Sequence, residues 1–143
     1  MPYEFLEDIA FADSAFKAWG PTVEETFVAA ADALMNTMTD DLDTIAPQEA
    51  RTLHIEHEAL DLLLFNLLQE LIYYKDADQL LLRVAHVHIA KTDEQYTLQA
   101  QARGERLDPQ RHALGADVKA VTLHRFALEQ TEQGWQAFVI LDI

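Results

Sequence analysis

The sequence predicts an α+β fold, a two-layer α/β sandwich in which a mostly antiparallel sheet carries two helices on one side. Apolar residues recur at helical spacing in two segments, and they alternate with polar residues in several others. These segments follow the order strand, helix, strand, helix and then two hairpins, which favours a two-layer arrangement. Since no linker or repeat interrupts the chain, residues 1–143 are expected to form a single domain.

The N-terminal part predicts short strands followed by a helix. The segment from Tyr3 to Trp19 is expected to form one or two strands, interrupted around Glu7-Asp8 and again near Asp13-Ser14. Thr22-Val23-Glu24-Glu25 is a capping box, with Thr22 as the N-cap residue. Apolar residues then recur at helical spacing as far as Met38, which predicts a helix with one face packed against the core.

The rest of the chain predicts one more helix and the strands that complete the sheet. These elements are a half-exposed strand over 48–58, a helix over 60–74, a hairpin of strands 80–90 and 95–103, and a hairpin of strands 118–126 and 137–143. Apolar residues cover most of the second helix, which indicates burial on more than one side and leaves part of this surface for a partner. Strict alternation over 118–126 places Lys119, Val121, Leu123 and Arg125 on one strand face.

Composition and charge exclude several classes of function. The chain has 10 Lys and Arg against 25 Asp and Glu, a formal net charge of −15, so direct binding to a nucleic acid is not expected. No apolar run approaches the roughly 20 residues that cross a membrane. The N-terminus has no signal-peptide pattern and the chain has no cysteine, so a cytoplasmic location is expected.

Motifs for catalysis are missing from the sequence. It contains no Gly-rich phosphate loop, no nucleophile elbow and no HExxH. His86 and His88 have a spacing that zinc ligands use, but no third ligand of suitable type lies nearby in the sequence. A metal-dependent enzyme would also need an acid/base pair, and the candidates Lys119 and His124 fall on opposite faces of the predicted strand.

Three acidic groups in apolar surroundings predict a cation site. Asp142 and the carboxylate of Ile143 lie within one peptide unit, and two negative groups that close repel each other unless a cation or donor separates them. Asp13, flanked by small and apolar residues, either caps a backbone turn or supplies a further ligand. Oxygen-only ligands suit calcium, magnesium or manganese better than zinc.

Several stretches of the chain resemble the signatures of the archease family. They are Tyr3-Glu4-Phe5-Leu6 with Ala12-Asp13 and Ala18-Trp19-Gly20, then Thr22-Val23-Glu24-Glu25-Thr26-Phe27, Leu63-Leu64-Phe65 with Glu70 and Tyr73, Val118-Lys119-Ala120-Val121-Thr122, and Phe138-Val139-Ile140-Leu141-Asp142-Ile143. The resemblance covers essentially the whole chain.

The resemblance implies an accessory protein rather than an enzyme. Archeases are small α/β proteins that assist the RtcB-type RNA-splicing ligase, which uses GTP and manganese, by promoting its guanylylation and multiple turnover. By similarity, a divalent cation, expected to be calcium with magnesium or manganese as alternatives, is held by Asp13, Asp142 and Ile143. Lys119 matches a lysine of the family signature, and Asp8 stands where the family commonly has a histidine. The alternative function is a chaperone-like interaction module with a structural metal.

Overall fold

A computed structural model describes residues 2–6 and 13–143 and has the predicted α+β class. Its helices and strands, in chain order, are β1 (Tyr3–Leu6), β2 (Asp13–Gly20), α1 (Val23–Met38), a short 3-10 helix (Leu42–Thr44), β3 (Glu49–His57), α2 (Leu60–Asp78), β4 (Leu80–Thr92), β5 (Gln95–Arg106), β6 (Ala120–Val121), β7 (Ala127–Thr131) and β8 (Gly134–Asp142). No helix in these residues is long and apolar enough to cross a membrane.

The strands form two antiparallel sheets, whereas the sequence predicted one. A five-stranded sheet has the order β1-β2-β8-β6, with β7 pairing with β8 as well, and a three-stranded sheet has the order β3-β5-β4. Every strand pair in the described ranges is antiparallel, which agrees with the prediction of a mostly antiparallel sheet. The period-two pattern identifies a strand but carries no information on its partner, which is why the division into two sheets was not predicted.

The two helices join the sheets through one hydrophobic core. Helix α1 contacts β2 and β8 of the larger sheet and β4 of the smaller one, and α2 contacts strands of both sheets. Helix α1 starts as predicted, since the Thr22 hydroxyl accepts a hydrogen bond from the backbone N–H of Glu25 at 3.1 Å. Helix α2 continues past its predicted end at Tyr74, because the polar residues that follow are compatible with a helix. It ends where Gln79 adopts a left-handed conformation with φ 53°.

Several predicted strand boundaries are wrong, and two of them affect the segments that carry the candidate site residues. Strand β2 begins at Asp13 rather than being interrupted there. The predicted strand over 118–126 is reduced to the two residues of β6, since Val121 pairs with Leu141 and Ala127 pairs with Phe138. Between these two pairings the chain has five residues, 122–126, whereas β8 has only residues 139 and 140. The extra residues form a protrusion from the sheet.

The protrusion also separates residues that were predicted to share a face. It contains a turn in which the N–H of Phe126 donates to the carbonyl of Leu123 at 3.1 Å, and Arg125 has a positive φ of 56°. Leu123, His124 and Arg125 are exposed in this turn, so Leu123 and Arg125 no longer alternate with Val121 along one strand. An alternating pattern cannot reveal such a turn when the turn itself happens to keep the alternation.

Candidate metal site

Asp13 and Asp142 lie directly opposite each other on β2 and β8. Residues opposite each other in an antiparallel pair share a sheet face, with Cβ atoms about 4.5–5.5 Å apart. Both residues are partly buried. The structure thus brings together two predicted ligands from distant parts of the chain.

The two carboxylates lie on the sheet face opposite the core. Along the same strands, the pair Phe16 and Val139 is buried in the hydrophobic core, and side chains alternate between faces. The face that carries Asp13 and Asp142 is therefore the outer one.

Two like charges directly opposite on a sheet destabilise it unless a counter-charge lies between them. Neither Asp13 nor Asp142 forms an ion pair with a residue in the described ranges. A hard divalent cation would remove this repulsion and would use the oxygen ligands that the site offers. The arrangement can therefore serve as half of a calcium, magnesium or manganese site.

Lys119 and Ile143 lie next to this acidic pair. The backbone N–H of Lys119 donates to the carbonyl of Asp142 at 2.8 Å, and Ala120 is the register partner of Asp142 on the side away from Asp13. The Lys119 side chain is exposed, and Ile143 packs, partly buried, against the core. Of the five candidate site residues predicted from the sequence, four therefore lie close together in the backbone pairing of the larger sheet: Asp13, Asp142, Ile143 and Lys119.

The fifth residue, Asp8, lies outside the described residues. Among residues 2–6 and 13–143 no group of three His, Cys, Asp or Glu side chains is arranged to hold a metal ion. The predicted site uses only two such side chains, Asp13 and Asp142, and completes them with the Ile143 carboxylate. Metal binding there stays a prediction.

A buried lysine that the sequence analysis overlooked holds the strand next to the site. Lys75 of α2 is only 8% exposed. Its Nζ donates to the Asp117 side chain at 2.7 Å and to the Val118 carbonyl at 2.9 Å, and it forms an ion pair with Asp76 at 2.8 Å. Burial by itself lowers the pKa of Lys75, but the hydrogen bonds with the two aspartates outweigh it and the pKa is raised. The hydrogen bond from Lys75 lowers the pKa of Asp117.

A second contact from α2 fixes the same segment. The Gln69 side-chain oxygen accepts a hydrogen bond from the backbone N–H of Val121 at 2.9 Å.

Lys75 follows the buried Leu71 by four residues, so it lies on the apolar stripe of the helix. A lysine on the apolar stripe of a predicted helix is the sequence pattern that could have indicated a buried, paired charge at this position.

A further buried charged cluster lies at the end of β5. Glu105 is 3% exposed and accepts hydrogen bonds from Arg111 at 2.6 Å and from His112 Nε2 at 2.7 Å. His112 Nδ1 accepts from the backbone N–H of Asp108, so the ring is neutral with its proton on Nε2. Burial raises the pKa of Glu105, yet the hydrogen bonds from Arg111, from the Ala46 backbone and from His112 hold this pKa at about 2. The cluster anchors the 108–112 loop.

Comparison with known proteins gives a consistent match over the whole chain. The profile of the Archease protein family (MTH1598/TM1083) matches residues 3–143. The protein archease of Pyrococcus abyssi is 37% identical over 133 residues, which is 92% of this chain and 93% of the relative. That of Methanopyrus kandleri is 36% identical over 143 residues, 100% of both chains.

Solved structures agree with this match. The solution structure of Methanobacterium thermoautotrophicum protein 1598 has a TM-score of 0.85 and 31% sequence identity over 99% of both chains. The crystal structure of a Thermotoga maritima archease, described as a possible chaperone, has a TM-score of 0.64 over 92% of this chain and 91% of its own; at 19% identity it shows the shared fold alone. This chain therefore belongs to the archease family.

Proposed function

We propose that this protein is a cation-binding accessory protein that activates an RtcB-type RNA-splicing ligase. It would promote guanylylation of the ligase and multiple turnover, as the resemblance to archeases implies, and it would not itself be an enzyme. The observation that supports this proposal best is the pairing of Asp13 with Asp142 beside Lys119, at the positions that match the family's signatures.

In this proposal the cation is held by Asp13, Asp142 and the carboxylate of Ile143. The register partnership of the two aspartates leaves two like charges that a divalent ion would neutralise. Calcium is the favoured ion, because its coordination is flexible and accepts carboxylates of varied geometry, and magnesium or manganese are the alternatives. Lys119 is proposed as a contact to the ligase.

The acidic charge of the chain supports a function in which the partner protein, rather than this protein, binds the RNA. At a net charge of −15, this protein is repelled by a phosphate backbone but attracted to a basic protein surface. The proposed complex therefore places the RNA on the ligase and the acidic surface of this protein on a basic part of the ligase. A cytoplasmic location is proposed with it.

A guanylylation assay with the cognate ligase tests the proposal. The wild-type protein is expected to raise ligase guanylylation and turnover, and Asp13→Ala and Asp142→Ala are expected to lose this effect. Glu94→Ala is the control, because Glu94 is an exposed acid in the turn between β4 and β5. Ligase turnover that is unchanged by the wild-type protein would contradict the proposal.

The role of Ile143 has a separate test. Adding one glycine after Ile143 moves the terminal carboxylate away from Asp142, so calorimetry should show weaker binding of calcium. If the extended protein binds calcium as tightly as the original, Ile143 is not a ligand, and the proposed coordination is wrong.

The second candidate is a chaperone-like interaction module in which the metal is structural. It is favoured by the Thermotoga maritima relative, described as a possible chaperone, and by exposed apolar side chains such as Tyr73 (59% exposed) and Leu123 (61%). This function predicts that the protein suppresses the aggregation of unrelated clients and that the C-terminal glycine has little effect on this activity. Ligase activation without any such suppression would favour the first candidate.

A further inference from the structure

A cavity of about 950 Å³ opens beside the three-stranded sheet, on the other sheet from Asp13 and Asp142. Strands β4 and β5 supply most of its lining. Helix α1 adds Val28 and Asp32, and the segment before β3 adds Ile45 and Pro47. The volume lies in the range of roughly 300–1,000 Å³ that is usual for small-molecule sites.

Two arginines face each other in this cavity. Arg83 of β4 and Arg103 of β5 are register partners, so they share a sheet face with Cβ atoms about 4.5–5.5 Å apart. Arg83 is neutralised by Asp32 at 3.2 Å and Asp43 at 3.6 Å. Arg103 is exposed and has no ion pair with any residue in the described ranges. Its guanidinium is therefore available to a ligand.

A β-bulge directs two histidines of β4 to the sheet face that carries Arg83 and Arg103. The register of β4 shifts at Ala85, so that His86 pairs with Gln101 and His88 pairs with Gln99. Without the extra residue the histidines would point to the core, because a slip of one position exchanges the two faces of a strand. Bulges of this kind often lie beside functional sites, where they redirect a side chain.

The acids around the cavity already have partners other than Arg103. Asp43, like Asp32, forms its ion pair with Arg83. Glu56, on the same face of the sheet, is hydrogen-bonded to His54 at 2.8 Å and accepts from Gln95 at 2.6 Å. In a chain with a net charge of −15, the cavity thus offers a guanidinium and two imidazoles to an anion.

We propose that this cavity binds a small organic phosphate. The phosphate would lie against Arg103, whose planar fork of N–H donors matches its oxygens, with the side chains of His86 and Gln99 as further polar partners. The organic part would pack on Val28 and Ile45. The site involves neither the acidic pair nor Lys119, so it does not depend on the proposed function.

Phenyl phosphate is the probe, since it joins a phosphate to a small apolar body. In a titration followed by ¹H–¹⁵N NMR, we expect saturable shifts of the amide signals of residues that line the cavity. Arg103→Gln should weaken binding about tenfold or more, since a charge-assisted hydrogen bond contributes on the order of a tenfold change in affinity. Arg103→Lys, which keeps the charge, should weaken it less. Lys91→Gln removes one exposed positive charge outside the cavity lining and should leave binding unchanged.

Several outcomes would overturn the proposal. They are the absence of saturable shifts, shifts that map away from the cavity, and equal weakening by Arg103→Gln and Lys91→Gln. Inorganic phosphate binding as tightly as phenyl phosphate would reject the organic part of the ligand, and benzoate binding equally tightly would reject the phosphate. Circular dichroism of each variant confirms that a loss of binding is not a loss of fold.

Discussion

At the scale of single residues, the informative feature is the unfavourable placement of two carboxylates opposite each other. Asp13 and Asp142 are cross-strand partners in the pairing of β2 and β8, and neither forms an ion pair with another residue in the part of the chain that the structure describes. Because strand pairing fixes their backbone positions, we expect the two carboxylates to repel each other in the folded protein until a cation or a substitution removes the repulsion.

The first prediction concerns Asp142→Asn, which keeps the shape of the side chain and removes one of the two charges. In the presence of EDTA, the free energy of unfolding should rise by about 0.2–1 kcal/mol, the magnitude of a cross-strand pair interaction. With calcium added, the wild-type protein should gain stability and the variant should gain much less. Urea denaturation under both conditions measures the two effects.

Glu129→Gln provides the control for the general loss of a negative charge, since Glu129 is exposed on β7. If Asp142→Asn is less stable than the wild type in EDTA, the repulsion argument is wrong. A calcium response that survives in Asp142→Asn would remove Asp142 from the set of ligands.

The second prediction concerns Glu105 and acid stability. Its pKa in the folded protein is about 2, below the ordinary value of 4.5, so the unfolded state binds the proton more readily. Its contribution to stability is therefore fully present above about pH 4.5 and is lost as the pH falls towards 2. Glu105→Gln should be less stable than the wild type at neutral pH, and the difference should shrink between pH 4.5 and pH 2.

Denaturation with guanidinium chloride at a series of pH values measures this difference. Glu132→Gln, at an exposed position in the turn between β7 and β8, should show a small difference that does not change over the same pH range. A Glu105→Gln variant as stable as the wild type at pH 7 would show that the cluster with Arg111 and His112 contributes no stability.

At the scale of elements, α2 determines where the strand beside the acidic pair lies. Strand β6 has only two residues, too few to hold a position by pairing alone. Lys75 and Gln69 of α2 supply hydrogen bonds to Val118 and Val121 on either side of Lys119. The position of Lys119 is thus set by a helix that is distant in sequence.

The third prediction tests this role with Lys75→Met, which keeps the length of the side chain and removes the donor. Since the Val118 carbonyl and Asp117 lose their partner, we expect the free energy of unfolding to fall by about 1–3 kcal/mol. The backbone amide of Val121 should also exchange its hydrogen faster, because β6 loses one of its attachments. Denaturation and NMR hydrogen exchange measure these effects.

Lys91→Met, at an exposed position near the end of β4, is the matched control. Lys91 Nζ lies 5.3 Å from the centre of the Tyr96 ring, so this variant should lose at most about 0.5–1 kcal/mol of stability and should leave the exchange of Val121 unchanged. Unchanged exchange at Val121 in Lys75→Met would mean that β6 is held without the lysine. In that case the proposed positioning of Lys119 by α2 would be wrong.

At the scale of the whole molecule, the excess of acids is the dominant property. The chain has 25 Asp and Glu, and the described ion pairs engage only some of them. A net charge of −15 is expected to destabilise the compact state through self-repulsion.

The fourth prediction follows from this self-repulsion. Salt screens interactions between charges more than about 10 Å apart at 0.1 M, which reduces the self-repulsion. Raising the sodium chloride concentration from about 10 mM to about 0.5 M should therefore raise the melting temperature. Differential scanning calorimetry at pH 7 measures the change. The same series near the isoelectric point of about 4.5, where the net charge is small, should show a weaker dependence. A melting temperature independent of salt at pH 7 would contradict the argument.

The sequence by itself determined the α+β class, the start of α1, the approximate course of most strands and the residue types of the acidic site. These features depend on local periodicity, capping and composition, which each segment carries in its own residues. The archease signatures were also visible in the sequence, and the family comparisons confirm them.

Only the tertiary structure decided which residues meet. The register that places Asp13 opposite Asp142, the division into two sheets, the bulge at Ala85, the protrusion after Val121 and the contact of Lys75 with Val118 are all long-range or register-dependent. A strand's alternation is the same whichever strand it pairs with, and it does not change when one residue is added to the ladder. Partner and register are selected by the packing of the whole chain, so no single segment contains them.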